Sequence, residues 1–134
     1  MDVLEHVDDD VALLKEYWDK APTGTIFIIT VPAFNFLWSS HDEFLEHRRR
    51  YTLSSLRRTI EKAGATPDRL HYFFGAIFPI AAAIRLLKGK TGASDMRPVP
   101  EVVNSALTAI CCSEVPLARW NKVAGLSVVA RLRK

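Results

Sequence analysis

The sequence is poor in cysteine. Its 134 residues contain only two, Cys111 and Cys112, and these are adjacent. Neighbouring cysteines rarely form a disulfide with each other, and no second pair exists, so the sequence predicts no disulfide framework. Both thiols are interpreted as packing residues, and the predicted compartment is reducing and cytoplasmic.

A long apolar run is also missing. The longest, "YFFGAIFPIAAAI" from Tyr72 to Ile84, contains Pro79 and falls short of the ~20 residues that cross a bilayer. The N-terminal "MDVLEHVDDD" is acidic and lacks the basic and continuously apolar segments of a signal peptide. We therefore expect no transmembrane segment, although the apolar block can still contact a membrane surface or a hydrophobic substrate.

Charge of one sign is not concentrated enough for a typical nucleic-acid protein. The net charge is +3, and Glu43 and Glu46 lie beside the run Arg48–Arg50. No aromatic residues alternate with the arginines to form a stacking platform. An ion-paired or solvated face is the favoured interpretation, no nucleic-acid partner is predicted, and RNA binding through the arginines is the weakest alternative.

What the sequence does contain is an alternation of helical and strand patterns. Apolar spacing and capping residues predict helices at 11–20, 53–63, 77–87 and 101–112, strands at 25–31, 69–74 and 125–133, and a loop at 88–100. Thr52 is expected to cap the second helix and Gly64 to end it. The apolar strand "TIFIITV" predicts burial on both faces in a mainly parallel sheet. Such alternation is typical of an α/β fold, yet three strands are fewer than the ~5–6 of a typical sheet, so the beginning is expected to be missing.

Three segments carry a family resemblance. "DVLEHVDDD", "PTGTIFIITVPA" and "LWSSHDEFLEHRRRYT", in this order, resemble the C-terminal half of class I S-adenosylmethionine-dependent methyltransferases, in the small-molecule group of types 11 and 12. The resemblance implies a partial Rossmann-like sheet holding strands four to seven of seven. It places the antiparallel last strand beside the fifth, and a helical insertion before that last strand.

The resemblance also implies how the chain is divided. One incomplete domain covers 1–134, with the end of strand four to strand six in 1–76, the insertion in 77–123 and the last strand in 124–134. Asp2 to Leu4 would end strand four. The family's Gly-rich cofactor loop and the acid that holds the ribose are absent from this sequence. The full-length protein is therefore expected to transfer a methyl group from S-adenosylmethionine to a small acceptor, and this chain alone to be inactive.

His41 and Asp42 are the candidate catalytic residues. A carboxylate raises the basicity of an imidazole that titrates near neutral pH, so a His–Asp pair can act as a general base. By resemblance, this loop covers the substrate side of the site, which gives the substrate-binding candidates Trp38, His47, Arg50 and Tyr51. The structural alternative is that Asp42 and His47 brace the loop together with Arg49, Arg50 and Tyr51.

Asp2, Glu5 and His6 form the pattern D-x-x-E-H. By resemblance, they are predicted to contact the cofactor, and a purely structural role at the sheet edge remains open for Glu5 and His6. A similar segment in the ubiquinone-pathway O-methyltransferases is associated with a divalent metal. Two carboxylates and an imidazole suit such an ion, so a metal on these residues is the less favoured alternative.

The remaining interpretations concern partners. The apolar blocks 72–87 and 102–112 are interpreted as core or, alternatively, as a lid that binds a hydrophobic or lipid-linked acceptor. His71, inside an apolar strand, is interpreted as a core histidine. The alternative to an enzyme is a non-catalytic interaction module that self-associates through an exposed sheet edge and uncovered apolar surface.

Overall fold

The structure, a computed structural model, describes residues 1–88 and 100–134 and has a mixed α/β fold. The predicted loop at 88–100 lies almost entirely outside the described residues. In chain order the elements are α1 (Asp10–Lys20), β1 (Ile26–Pro32), a 3-10 turn (Asn35–Leu37), α2 (Ser40–Phe44), α3 (Leu53–Lys62), β2 (Pro67–Phe73), α4 (Phe78–Lys88), α5 (Glu101–Ala118) and β3 (Ser127–Arg133).

The three strands form one sheet in the order β1-β3-β2. β3 is antiparallel to both neighbours, with Ile29 opposite Ala130 and Leu70 opposite the same Ala130. β1 and β2 therefore run in the same direction and end at the same edge of the sheet. The last strand has the direction, and the position beside β1, that the family resemblance implied for it.

The prediction that β1 is buried on both faces in a parallel sheet is wrong for the described residues. Burial alternates along the strand: Ile29 and Val31 are buried, whereas Ile26 and Ile28 are 49% and 58% exposed. On its outer edge β1 pairs with Met1, whose carbonyl accepts from Thr30 N–H at 2.8 Å and whose amino group donates to the Ile28 carbonyl. In a parallel pair, one residue bonds to the two residues on either side of its partner. Met1 bonds to Ile28 and Thr30, on either side of Ile29, so Met1 pairs with β1 in parallel.

α1 and α3 cover one face of the sheet. The core between them is built from Leu14, Leu56, Ile60 and the inward residues of all three strands. Local sequence explains both helix starts: Asp9 Oδ1 accepts from Ala12 N–H at 2.8 Å, and Thr52 caps α3 as predicted. α3 ends at Lys62, and Gly64 follows with a φ of +86°, which glycine adopts at little cost.

α4 and α5 pack far less closely. α5 continues six residues beyond the predicted end at Cys112, and of its eighteen residues only Ala118 is buried. The Glu114 carboxylate ties it to the end of β2 by accepting from the Gly75 and Ala76 N–H groups at 2.7 and 3.2 Å. The interpretation of 72–87 and 102–112 as core is confirmed for Tyr72, which is buried in the core cluster, and is wrong for 78–87 and 102–112, where no residue is buried. None of the helices described is long and apolar enough to span a membrane.

Candidate functional site

Three loops meet at one edge of the sheet. β1 and β2 are parallel, and Met1 pairs in parallel with β1, so the segments that follow all three lie at the carboxyl end of the strands. These segments are the turn 4–6, the stretch 33–38 and the turn 74–77. In open α/β sheets ligands bind in the crevice outside this edge, which makes it the candidate site.

Asp42 is the centre of a buried polar network at this edge. Its side chain is fully buried and accepts from the Ser39 amide and hydroxyl at 2.8 and 2.9 Å and from His47 Nδ1 at 2.8 Å. Arg50 donates in a fork from Nε and Nη2, at 2.8 and 2.9 Å. Burial alone would raise the pKa of Asp42, but the hydrogen bonds from Arg50 and His47 outweigh it and lower the pKa to about 2. Because an ionised carboxylate only accepts, His47 carries its proton on Nδ1.

Arg49 and Arg50 also bond to backbone carbonyls around this network. Arg50 Nη1 donates to the Ala33 carbonyl at 2.9 Å, just after β1. Arg49 Nη2 donates to the carbonyls of Val7 and Asp8 at 3.0 and 2.6 Å. The loop is thereby fastened both to the end of β1 and to the N-terminal segment.

Tyr51 makes a third attachment. Its side chain is buried, and its hydroxyl contacts the Leu4 carbonyl at 3.1 Å and Asp10 Oδ2 at 2.7 Å, an oxygen that also accepts from Thr59 Oγ1 at 3.1 Å. Burial, and then the hydrogen bond to Asp10, raise the pKa of Tyr51 far above its usual value, so the phenol stays protonated. Arg49 lies 3.3 Å from the other Asp10 oxygen.

These contacts bear out the structural alternative for the loop: Asp42, His47, Arg49, Arg50 and Tyr51 do brace it. The imidazole bonded to Asp42 is that of His47, whereas His41 is exposed on α2. The chain returns to Asp42 because Glu46 adopts a φ of +55°, and the His47 amide then bonds to the Asp42 carbonyl at 2.9 Å. A catalytic role for His41 and Asp42, and substrate binding by Trp38, His47, Arg50 and Tyr51, stay predictions.

Glu5, His6 and His47 converge next to this network. One ligand atom from each lies within 4.8 Å of the other two, and the two imidazole rings meet edge to face at 4.7 Å. Glu5 is 2% exposed, and its Oε2 has no hydrogen-bond partner among the residues described. Burial, together with the neighbouring Asp2 carboxyl, raises the pKa of Glu5 to about 7.

This donor set fits a divalent metal, but it differs from the one that the sequence suggested. His47 joins Glu5 and His6 in the group whose ligand atoms converge, and Asp2 is exposed beside it. His47 is 41 residues from His6, so sequence proximity could not indicate it. The available signal was that His6 was predicted just after the end of strand four and that His47 was predicted in the loop after the next strand.

A cluster of aromatic rings occupies the same edge. Phe34 stacks on Tyr72 with ring centroids 5.0 Å apart, and it contacts Phe36 and Phe78 at 5.5 and 5.4 Å. Phe34 and Phe74 have φ values of 55° and 61°, a conformation that costs about 1–3 kcal/mol in a bulky residue and is concentrated at functional sites. Sequence reasoning did not identify this cluster, because its members come from three separate segments.

Two concave surfaces flank the edge. Trp38 lines a depression of ≈ 370 Å³ with Asn35, Arg48 and Arg49. A mainly apolar cavity of ≈ 440 Å³ lies between the end of β2 and α5, and its walls include Phe73, Leu107, Cys111 and Val115. The predicted substrate residue Trp38 is therefore accessible, and the helical insertion provides an apolar wall near the same edge.

Comparison with known proteins gives one informative likeness. No family model and no curated protein matches the chain. Among solved structures, it is similar to a SAM-dependent methyltransferase from Archaeoglobus fulgidus, with 18% identity and a TM-score of 0.50. The match covers 99% of this chain and 56% of the methyltransferase, so the chain spans just over half of that protein. At this identity the likeness shows a methyltransferase-like fold.

Proposed function

We propose that this chain is the acceptor-side portion of an S-adenosylmethionine-dependent methyltransferase acting on a small molecule. The observation that carries the proposal is the sheet: an antiparallel β3 lies between two parallel strands, and Met1 continues the sheet in parallel beyond β1. In the proposal, 1–4 ends strand four, and β1, β2 and β3 are strands five, six and seven. Residues 77–123 are the insertion.

The proposal divides the work between two parts of a longer protein. A Gly-rich loop and a ribose-binding acid, both outside this sequence, hold the cofactor, and their strands continue the sheet from the edge where Met1 pairs. Asp2, Glu5 and His6, at the turn beside that edge, contact the cofactor. The loop with Trp38 and His41 faces the acceptor.

S-adenosylmethionine supplies an electrophilic methyl group, so the protein must position the acceptor in line and accept its proton. His41 is exposed in the loop and is the proposed base. The network of Asp42, His47 and Arg50 positions that loop, because its hydrogen bonds hold the segment against both β1 and the N-terminal turn. Asp42 supplies charge and orientation here, since its low pKa keeps it ionised at neutral pH.

The acceptor is proposed to be hydrophobic, in part aromatic. Phe34, Phe36 and Phe78 contact one another at the candidate edge, and Phe36 is 49% exposed. Offset or edge-on contacts between an aromatic ring and a flat ligand are favourable by about 0.5–1.5 kcal/mol each. A mainly apolar cavity lies against α5, with Phe73 and Phe74 at the end of β2 among its lining residues.

A cofactor titration tests the proposal. S-adenosylhomocysteine is titrated by calorimetry into the folded 134-residue chain and into the same chain extended by the coding sequence that precedes it. The expected result is stoichiometric binding only by the extended chain. Stoichiometric binding by the 134-residue chain would overturn the division of labour, and no binding by either chain would overturn the methyltransferase proposal.

One observation favours a second candidate function, a self-associating interaction module. The outward face of β1 exposes Ile26 and Ile28, and among the described residues its outer edge is paired only at Met1. Exposed apolar edges promote strand pairing between chains. Light scattering after size exclusion tests this: a concentration-dependent dimer that Ile28→Lys abolishes would favour the module, and a monomer at all concentrations would exclude it.

A further inference from the structure

The structure brings a buried carboxyl and two imidazoles from distant segments into one group at the candidate edge. We propose that Glu5, His6 and His47 bind a divalent transition-metal ion of the Zn²⁺ type. The inference concerns the ion and its ligands, and it holds whether or not the chain takes part in methyl transfer.

The spacing of the three donors suits a shared ion. Their ligand atoms lie within 4.8 Å of one another. In a tetrahedral site with metal–ligand distances of about 2.0–2.1 Å, neighbouring ligand atoms are roughly 3.4 Å apart. Ligand atoms at the upper limit of this spacing would have to approach one another by roughly 1.4 Å to share such an ion. The donor set is therefore near its binding geometry.

Glu5 provides the second, independent observation. Its side chain is almost completely buried, yet Oε2 has no hydrogen-bond partner in the described parts of the chain. Burying a polar atom without a partner is unfavourable, and it is more unfavourable when the atom is charged. A bound cation would satisfy that oxygen and offset the cost of burying the carboxylate.

The backbone holds the two ligand segments together. The Arg48 amide donates to the Glu5 carbonyl at 2.6 Å, which places the residue after His47 against the residue before His6. The His6 amide in turn bonds to the Val3 carbonyl at 3.0 Å, closing the turn that carries two of the ligands. The site is therefore supported by main-chain contacts rather than by side chains alone.

His47 is already oriented as metal-bound histidines are. Its Nδ1 donates to the buried Asp42 carboxylate at 2.8 Å, so Nε2 remains as the nitrogen that can bind an ion. Ligand histidines almost always donate their other ring N–H to a carboxylate, carbonyl or water, which fixes the ring and raises its basicity. Arg50 fixes Asp42 in turn through two hydrogen bonds. Asp42 is thus a positioning residue for the proposed site.

The donor types select the class of ion. Two imidazoles and one carboxylate favour Zn²⁺, Co²⁺ or Ni²⁺, whereas Mg²⁺ and Ca²⁺ prefer shells of oxygen. Three protein ligands leave the fourth position of a tetrahedral ion for water or another oxygen ligand. This composition is what separates the proposed site from the carboxylate-rich set Asp2, Glu5 and His6.

The test is a calorimetric titration of ZnCl₂ into the complete 134-residue chain, purified without metal, at pH 7.5. One equivalent is expected to bind, and millimolar Mg²⁺ is expected not to displace it. His47→Gln and the exposed-ligand variant His6→Gln should each weaken binding at least about 100-fold, and Asp42→Asn about 10–100-fold. Circular dichroism of each variant establishes that it is folded.

Two controls make the result specific. His41→Gln changes an exposed histidine of the same loop and should leave Zn²⁺ affinity unchanged. A Cys111→Ser/Cys112→Ser double variant should also bind as the unchanged chain does. The proposal is overturned if the folded chain binds no Zn²⁺, if His6→Gln binds as tightly as the unchanged chain, or if the cysteine variant loses the site. None of these outcomes depends on S-adenosylhomocysteine binding.

Discussion

The loop 39–51 and helix α5 differ in the environment of their side chains. In the loop, the buried charge of Asp42 meets Arg50, His47 and a backbone amide, all within 2.9 Å. In α5, twelve of the eighteen residues are apolar, and Val102 and Leu117 are 81% and 63% exposed. A helix that is hydrophobic on all sides is usually buried.

The difference shows which part of the chain finds the contact partners of its side chains within this sequence. The polar loop finds its partners within this sequence, so its conformation is determined here. The apolar face of α5 finds few, and apolar surface of this extent in a soluble domain marks a place for a ligand or another protein surface. We expect substitutions in the loop to affect folding and substitutions in α5 to affect association or ligand binding.

The largest loss of folding stability is expected from removing the Asp42 carboxylate. Asp42→Ala leaves the partly buried Arg50 guanidinium with only the Ala33 carbonyl as a partner, and losing one partner of a buried ion pair costs up to about 3–5 kcal/mol. Urea denaturation measures the loss. The exposed neighbour Glu43 supplies the control, because Glu43→Ala should change the free energy of unfolding by less than about 0.5 kcal/mol. Equal effects of the two substitutions would mean that the network contributes nothing to folding.

The lowered pKa of Asp42 predicts that the protein loses folding stability in acid. Its pKa is lowered in the folded state from 3.8 to about 2, so its contribution is fully present above pH 4 and is lost as the pH falls towards 2. The shift corresponds to stability on the order of 2 kcal/mol. Denaturation midpoints between pH 5 and pH 2 measure it. Asp42→Asn should remove this component of the pH dependence, and an unchanged slope would contradict the assignment.

A smaller effect is expected where the loop meets the N-terminal segment. Tyr51→Phe removes the hydroxyl that contacts Asp10 and the Leu4 carbonyl, and it should lower the free energy of unfolding by about 1–3 kcal/mol. Tyr17, which is 53% exposed on α1, is the matched control. If Tyr17→Phe destabilised the protein as much, the effect could not be attributed to these hydrogen bonds.

The smallest effect on folding should come from α5. Val102→Ser and Leu117→Ser, alone or together, should each change stability by less than about 0.5 kcal/mol, because these side chains are already in water. Leu56→Ala, in the core, should cost about 2–5 kcal/mol in the same urea assay. A large loss from the α5 variants would show that this face is buried in solution.

Sequence reasoning succeeded where structure is local. The positions of α1, α3 and α4 and the start of α5 followed from apolar spacing, and the Thr52 cap followed from residues within one turn, whereas α2 and the last six residues of α5 were not predicted. The pairing of Asp42 with His47 rather than with His41 depended on the turn at Glu46, whose positive φ the sequence did not signal. His47 is five residues from Asp42 and His41 is adjacent to it, so sequence spacing alone does not distinguish the two histidines as partners.

Contacts between distant segments could not be predicted in this way. The approach of Glu5 to His47 depends on the parallel pairing of Met1 with β1, which a single sequence does not encode as a pattern. The burial of β1 was predicted wrongly for a related physical reason. An apolar run shows that a strand can be covered on both faces, but it does not identify the element that covers it.

The position of β3 also sets the order in which the chain can fold. β1 and β2 hydrogen-bond to β3 and not to each other, and the partners of β1 lie about 100 residues further along the chain. During synthesis, both earlier strands therefore lack their sheet partner until residues 127–133 have left the ribosome. Pairings of such long sequence separation form slowly, and the unpaired strands are open to aggregation in the meantime. Chains that stop before residue 127 should need a chaperone more than chains that include residues 127–133 do.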